Sequence, residues 1–126
     1  MGTIRVLLAD QHEATQTTLS SARNNSHPLE LVGVAHDGHE ALRLVQTTRP
    51  DVAVFAQNLS ELDGISAAEQ LHLLQPDLGL VVITENNDEP TLDRVSQIGV
   101  HRSLPRETAV SKLVQTVIDV MEMLSQ

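Results

Sequence analysis

Residues 51–64 read DVAVFAQNLSELDG. Val52-Ala53-Val54-Phe55-Ala56 is an unbroken apolar run, too short for a helix and without the polar alternation of a half-exposed strand. A run of this kind bounded by turn residues reads as the central strand of a parallel sheet, buried on both faces. A polar loop follows, and Asp63-Gly64 opens a helical pattern. In open α/β sheets ligands gather in the crevice beyond the carboxyl ends of the strands. That point falls here on Ala56-Gln57-Asn58.

Working outward, residues 4–9 form a first strand ending at Asp10. A helix is expected over 13–25, with Ala14, Thr18, Leu19 and Ala22 as a thin stripe in a Thr- and Ser-rich segment of low helix propensity. Residues 24–28, Asn-Asn-Ser-His-Pro, signal a turn. A second strand covers 29–35. A second helix covers 40–48, with Ala41, Leu42 and Val45 inward, and stops at Arg49-Pro50. Asp63 is placed to cap a third helix running to about residue 74, with Ala67, Leu71 and Leu74 on one face. Residues 80–83 are a buried strand ending at Thr84, and 85–89 a polar loop. Pro90 suits the first turn of a short helix carrying Leu92, Val95 and Ile98, which Gly99 ends. Residues 100–104 are a poor strand, expected at an edge. Val110, Leu113, Val114, Val117, Ile118 and Met121 then form the cleanest helical stripe in the chain. Val120 and Met123 fall off that stripe and are expected to face solvent or a partner.

Five strand–helix pairs without a linker imply one domain over residues 1–126, itself compatible with being the amino-terminal part of a longer protein. The fold class is α/β: a doubly wound, five-stranded parallel sheet with helices on both faces, a three-layer sandwich. The chain has no cysteine, which removes disulfide and thiolate chemistry. A net charge of −9 argues against direct nucleic-acid contact by this segment, and Phe55 as the only aromatic residue argues against base stacking and aromatic-lined ligand sites. No apolar stretch approaches the roughly 18 residues of a membrane span, and the amino terminus lacks a signal-peptide layout. A cytoplasmic location, with no membrane contact, is the resulting expectation.

The ordered spacing of these elements from Ile4 to about Leu124 resembles the receiver domains of two-component response regulators. The resemblance implies a flavodoxin-like sheet of order 2-1-3-4-5. It also implies a site: two acids after the first strand and an aspartate ending the third bind magnesium, the latter accepting a phosphoryl group. A hydroxyl after the fourth strand and a lysine after the fifth bind phosphoryl oxygens. Carried onto this chain, the acidic pair becomes Asp10 and Gln11, the acceptor position is Ala56, the hydroxyl is Thr84, the lysine position is Arg106, and the aromatic switch position is Ser103. A methyl group cannot take a phosphoryl group, one carboxylate of three remains for magnesium, and Arg106 replaces a point charge by a planar fork. The expectations are weak or absent magnesium binding, no other cofactor, no catalytic residue, and an Arg106 that reaches toward Asp10.

Simpler roles stand beside these. Asp10 suits a helix cap or a pair with Arg106, Thr84 is an ordinary strand-end residue, and Asp63 is a cap rather than a substitute acceptor. His12, His36 and His39 gather in loops at the carboxyl edge of the first two strands, but at no recognised metal spacing. The reading is therefore a non-enzymatic pseudo-receiver, a signalling module of response-regulator type acting through phosphorylation-independent protein contacts, with a homodimer through the fourth or fifth helix among them. The alternative is a small-ligand or anion sensor using the crevice near Ala56, Thr84 and Arg106.

Overall fold

The computed structural model describes residues 2–22, 28–85 and 88–125. Its elements are β1 (Ile4–Ala9), α1 (Glu13–Ser20), β2 (Leu29–Ala35), α2 (Gly38–Thr48), β3 (Val52–Ala56), α3 (Gly64–Leu74), β4 (Gly79–Thr84), α4 (Glu89–Gln97), β5 (Arg102–Pro105) and α5 (Arg106–Leu124). The five strands form one parallel sheet in the order β2-β1-β3-β4-β5. This is the fold class read from the sequence and the strand order that the family resemblance implies.

Successive strand residues point to opposite faces, and here both faces are covered. Ile4, Val6, Leu8, Val52, Val54, Val81 and Ile83 pack with Leu19 of α1 and with Leu113, Val117 and Ile118 of α5. Leu7, Ala9, Ala53, Phe55, Leu80 and Val82 pack with α2, α3 and α4 through Ala41, Val45, Ile65, Leu71 and Val95. All five residues of β3 are buried, which is why its apolar run is continuous.

Side-chain caps set three helix starts. Asp37 Oδ1 accepts from the Glu40 N–H at 2.8 Å, Asp63 Oδ1 from the Ser66 N–H at 2.9 Å, and Asp88 Oδ1 from the Thr91 N–H at 2.9 Å. Asp63 is thus the expected cap. Pro90 lies in the first turn of α4.

Several expectations are corrected. Helix α1 ends at Ser20 rather than at 25, and its buried residues are Thr15 and Leu19, with Ala14 exposed. The low helix propensity of its Thr/Ser-rich sequence accounts for the short span. Part of the expected end of that helix and most of the turn over 24–28 lie outside the described residues. Leu74, Leu92 and Val110 are exposed, not core. Each occupies an end turn of its helix or the side turned from the sheet, where periodicity alone cannot tell an inner face from an outer one. Strand β5 begins at Arg102 rather than at residue 100.

Val120 is fully buried, against the expectation that it faces outward, whereas Met123 is exposed. The reason lies across the fold, on β4. Gly79 has no side chain, and a Cβ there would lie 2.8 Å from Val120 Cγ1. Val120 fills the hollow that glycine leaves.

Candidate functional site

Asp10 directly follows β1, and its side chain is almost completely buried at the carboxyl edge of the sheet. Both of its carboxylate oxygens are engaged. Oδ2 accepts from Thr15 Oγ1 at 2.6 Å and from Arg106 Nη1 at 2.7 Å. Oδ1 accepts from Arg106 Nη2 at 3.0 Å and from the His12 backbone N–H at 3.3 Å, and lies 3.0 Å from His12 Nδ1.

Arg106 is the first residue of α5, immediately after β5. Besides its two-pronged bond to Asp10, it donates Nε to Glu85 Oε1 at 2.8 Å, and its Nη2 lies 2.6 Å from the same oxygen. One guanidinium therefore ties together the carboxyl ends of β1, β4 and β5. Planar forks suit such bidentate carboxylate bonds better than an ammonium does. Burial by itself raises the Asp10 carboxyl, but the hydrogen bonds from Arg106, Thr15 and His12 and the Arg106 charge outweigh it and hold the group below the ordinary aspartate value. Burial likewise disfavours the Arg106 cation, and the bonds and charges of Asp10 and Glu85 more than offset this, raising it further.

The other positions surround this clamp. Ala56 ends β3 with its methyl buried. A Cβ on Gly64 would collide with the Ala56 carbonyl, so glycine lets α3 start close against the strand end. Gln57 joins the next strand twice: its N–H donates to the Ile83 carbonyl, and its Oε1 accepts from the Glu85 N–H, both at 2.8 Å. Thr84 is buried, with Oγ1 3.4 Å from the Leu104 carbonyl. Gln11 is exposed and donates Nε2 to the His36 carbonyl at 3.1 Å. Ser103 is exposed on β5. Among the described residues, no group of three or more His, Cys, Asp or Glu side chains is placed to hold a metal ion.

The expected approach of Arg106 to Asp10 is present. Glu85 and Thr15 are not among the residues singled out from the sequence, whereas Gln57 lies at the expected crevice point. Glu85 follows Thr84 at a strand's carboxyl end, so the crevice rule that pointed to Ala56 points to it too. Nothing local marks Thr15, whose role depends on where Asp10 sits.

These residues do not fit a magnesium ion. Magnesium requires near-octahedral oxygen ligation anchored by carboxylates. The Asp10 oxygens are saturated, Ala56 offers a methyl, and the Gln11 amide is tied to the neighbouring loop.

The family model for the response regulator receiver domain matches residues 6–118. Response regulator GacA of Pseudomonas aeruginosa is 27% identical over 114 residues, covering 90% of this chain and 53% of that protein. The uncharacterized transcriptional regulatory protein YhcZ of Bacillus subtilis is 28% identical over 113 residues, covering 90% and 53%. The chain thus spans about half the length of these relatives. Among solved structures, the receiver domain of AraT, a response regulator from Geobacillus stearothermophilus, superposes with a TM-score of 0.82 at 27% identity, covering 97% of this chain and 95% of that one. The response regulator domain of Thermotoga maritima CheB superposes at 0.83 with 18% identity, covering 96% and 98%, a similarity of fold.

Proposed function

Because the chain belongs to the response regulator receiver domain family, we propose that it is a pseudo-receiver: a signalling module of a two-component system that acts through protein contacts without being phosphorylated. The observation that carries this reading is the saturated Asp10. The carboxylate that would anchor magnesium gives both oxygens to Arg106, Thr15 and His12, beside an alanine in place of a nucleophile. The module is then neither an enzyme nor a cofactor-binding protein.

Its working surface is the side formed by α4, β5 and α5. Leu92, Val110 and Met123 are exposed apolar residues on those two helices, and Ser103 on β5 leaves no aromatic ring to couple the crevice to that side. Proteins, including a second copy of the chain through α4 or α5, are the proposed partners. The acidic balance supports neither nucleic-acid nor membrane contact by this domain, and a cytoplasmic location accords with both. Since the curated relatives are about twice as long, the module is read as the regulatory part of a longer protein with its own output domain. An anion sensor at the same corner has less support, because Arg106 is already engaged by two carboxylates.

The test is intact mass after incubation with magnesium and acetyl phosphate. Wild type is expected to gain no phosphoryl group, and so is Ala56→Asp, because Arg106 still occupies Asp10. The triple variant Gln11→Asp/Ala56→Asp/Arg106→Lys is expected to bind magnesium and to accept the group. An adduct on wild type overturns the pseudo-receiver reading.

A further inference from the structure

The amino-terminal end of β5 is attached to β4 in an unusual way. The His101 backbone N–H donates to the Leu80 carbonyl at 3.0 Å, as a strand continuing the sheet would. The return bond does not go to a backbone carbonyl: the Leu80 N–H donates to the His101 ring nitrogen Nδ1 at 3.1 Å. Leu80 lies in a buried strand, so this N–H has no access to water as a substitute partner. A ring nitrogen accepts a hydrogen bond only while it is unprotonated, and both nitrogens of the imidazolium are donors.

A second histidine stands against the same turn. His72, in the last turn of α3, lies over Gly99, where a Cβ would come within 2.5 Å of its Nε2. Gly99 also has a φ of 90°, so two independent reasons keep a side chain out of that position. The His72 Nδ1 is buried without a hydrogen-bond partner among the described residues.

We propose that His101 is a proton-operated latch on β5. Neutral, its Nδ1 accepts the Leu80 N–H and holds the start of β5 against β4. Protonated, it has no lone pair to offer, the bond to Leu80 is lost, and the α4–β5 turn swings free. This goes beyond the pseudo-receiver reading, since it gives a domain without phosphoryl chemistry a different chemical input. It acts on β5, the strand between the two helices proposed to meet partners.

The groups around the ring favour the neutral form. Burial, then the charges of His72 on α3 and Arg102 on β5, hold His101 below the ordinary imidazole value. β4 presents the Leu80 backbone here, and Gly99 and Val100 of the turn carry no charge. Among the described residues, no carboxylate pairs with His101. The latch is therefore closed above the ordinary imidazole pKa and released as pH falls through the lowered one.

Amide hydrogen exchange by NMR on the 126-residue chain, corrected for intrinsic rates, reads this directly. In wild type, Leu80 protection is expected to fall by up to about tenfold per pH unit between the ordinary and the lowered imidazole pKa, while Val54 at the sheet centre holds. In His101→Asn the side-chain oxygen accepts in place of Nδ1 and does not titrate, so Leu80 protection is expected to stay high and flat. In His101→Ala it is expected to be low at every pH. Flat protection in wild type, a wild-type slope in His101→Asn, or full protection in His101→Ala would each overturn the proposal.

Discussion

Strand β5 is only four residues long and lies at the sheet edge, and its two ends are held by different chemistry. After its carboxyl end, Arg106 carries a permanent charge into two carboxylates, with five short donor–acceptor contacts shared among the Asp10 and Glu85 oxygens and Thr15. Before its amino end, His101 offers one neutral lone pair to one backbone N–H. The first arrangement keeps its charges across the whole physiological range, and the second exists in one protonation state only. A charge-saturated corner makes a fixed joint, whereas a neutral imidazole acceptor makes a joint that protons can open.

The largest effect expected from breaking this contrast is at the fixed joint. Arg106→Ala strands the Asp10 carboxylate in a buried site, and urea unfolding at pH 7.5 is expected to show a loss of about 3 kcal/mol, toward the lower end for a broken buried pair because Arg106 is partly exposed. Its pH dependence follows from the sign of the Asp10 shift. A carboxyl held below its ordinary value contributes stability that is complete above that value and lost as pH falls through the lowered one. The Asp10 contribution is therefore expected to be flat between pH 5 and 8, measured as the difference between wild type and Asp10→Asn, in which the position no longer titrates.

At the opposite end of the strand, His101→Ala leaves the Leu80 N–H unsatisfied, for a loss of about 1–2 kcal/mol at pH 7.5. Unlike the clamp, this difference is expected to shrink as pH falls from the ordinary imidazole value toward the lowered one, because protonation takes the same bond from wild type. A difference that stays constant would remove the contrast between the two joints. The smallest effect concerns His72. His72→Gln removes the neighbouring imidazole, one of the influences that hold His101 down, so the His101 titration followed by ring proton shifts is expected to move upward toward the ordinary imidazole value. Movement in the other direction would show that His72 acts on the ring through packing rather than charge.

Much of this molecule is legible in the chain before any coordinates. The apolar run at Val52–Ala56, the short strand segments around it, the cap Asp63 and the first-turn Pro90 all act locally, because buried-strand runs and helix starts depend on residues a few positions apart. Ala56, Gln11 and Arg106 stand out only through the family resemblance, which says what each strand end carries in receiver domains. The Asp10–Arg106 pair was also within reach, since opposite charges left facing one crevice attract.

Other features required the fold. Val120 is core because Gly79, distant in sequence, leaves a hollow for it, and Val110 is surface although it continues the helical stripe. Thr15 is buried because Asp10, at the end of β1, needs a donor, and Glu85 matters because β4 and β5 bring its carboxylate to Arg106. The His101 ring reads as an ordinary loop residue until the parallel pairing places the Leu80 N–H against it. By itself the sequence determined the succession of strands and helices, because that follows from residue type and short-range period, while the strand order came with the family resemblance. The tertiary structure decided how Glu85 meets Arg106 and how Leu80 meets His101, because those partnerships join residues that only the sheet brings within hydrogen-bond reach.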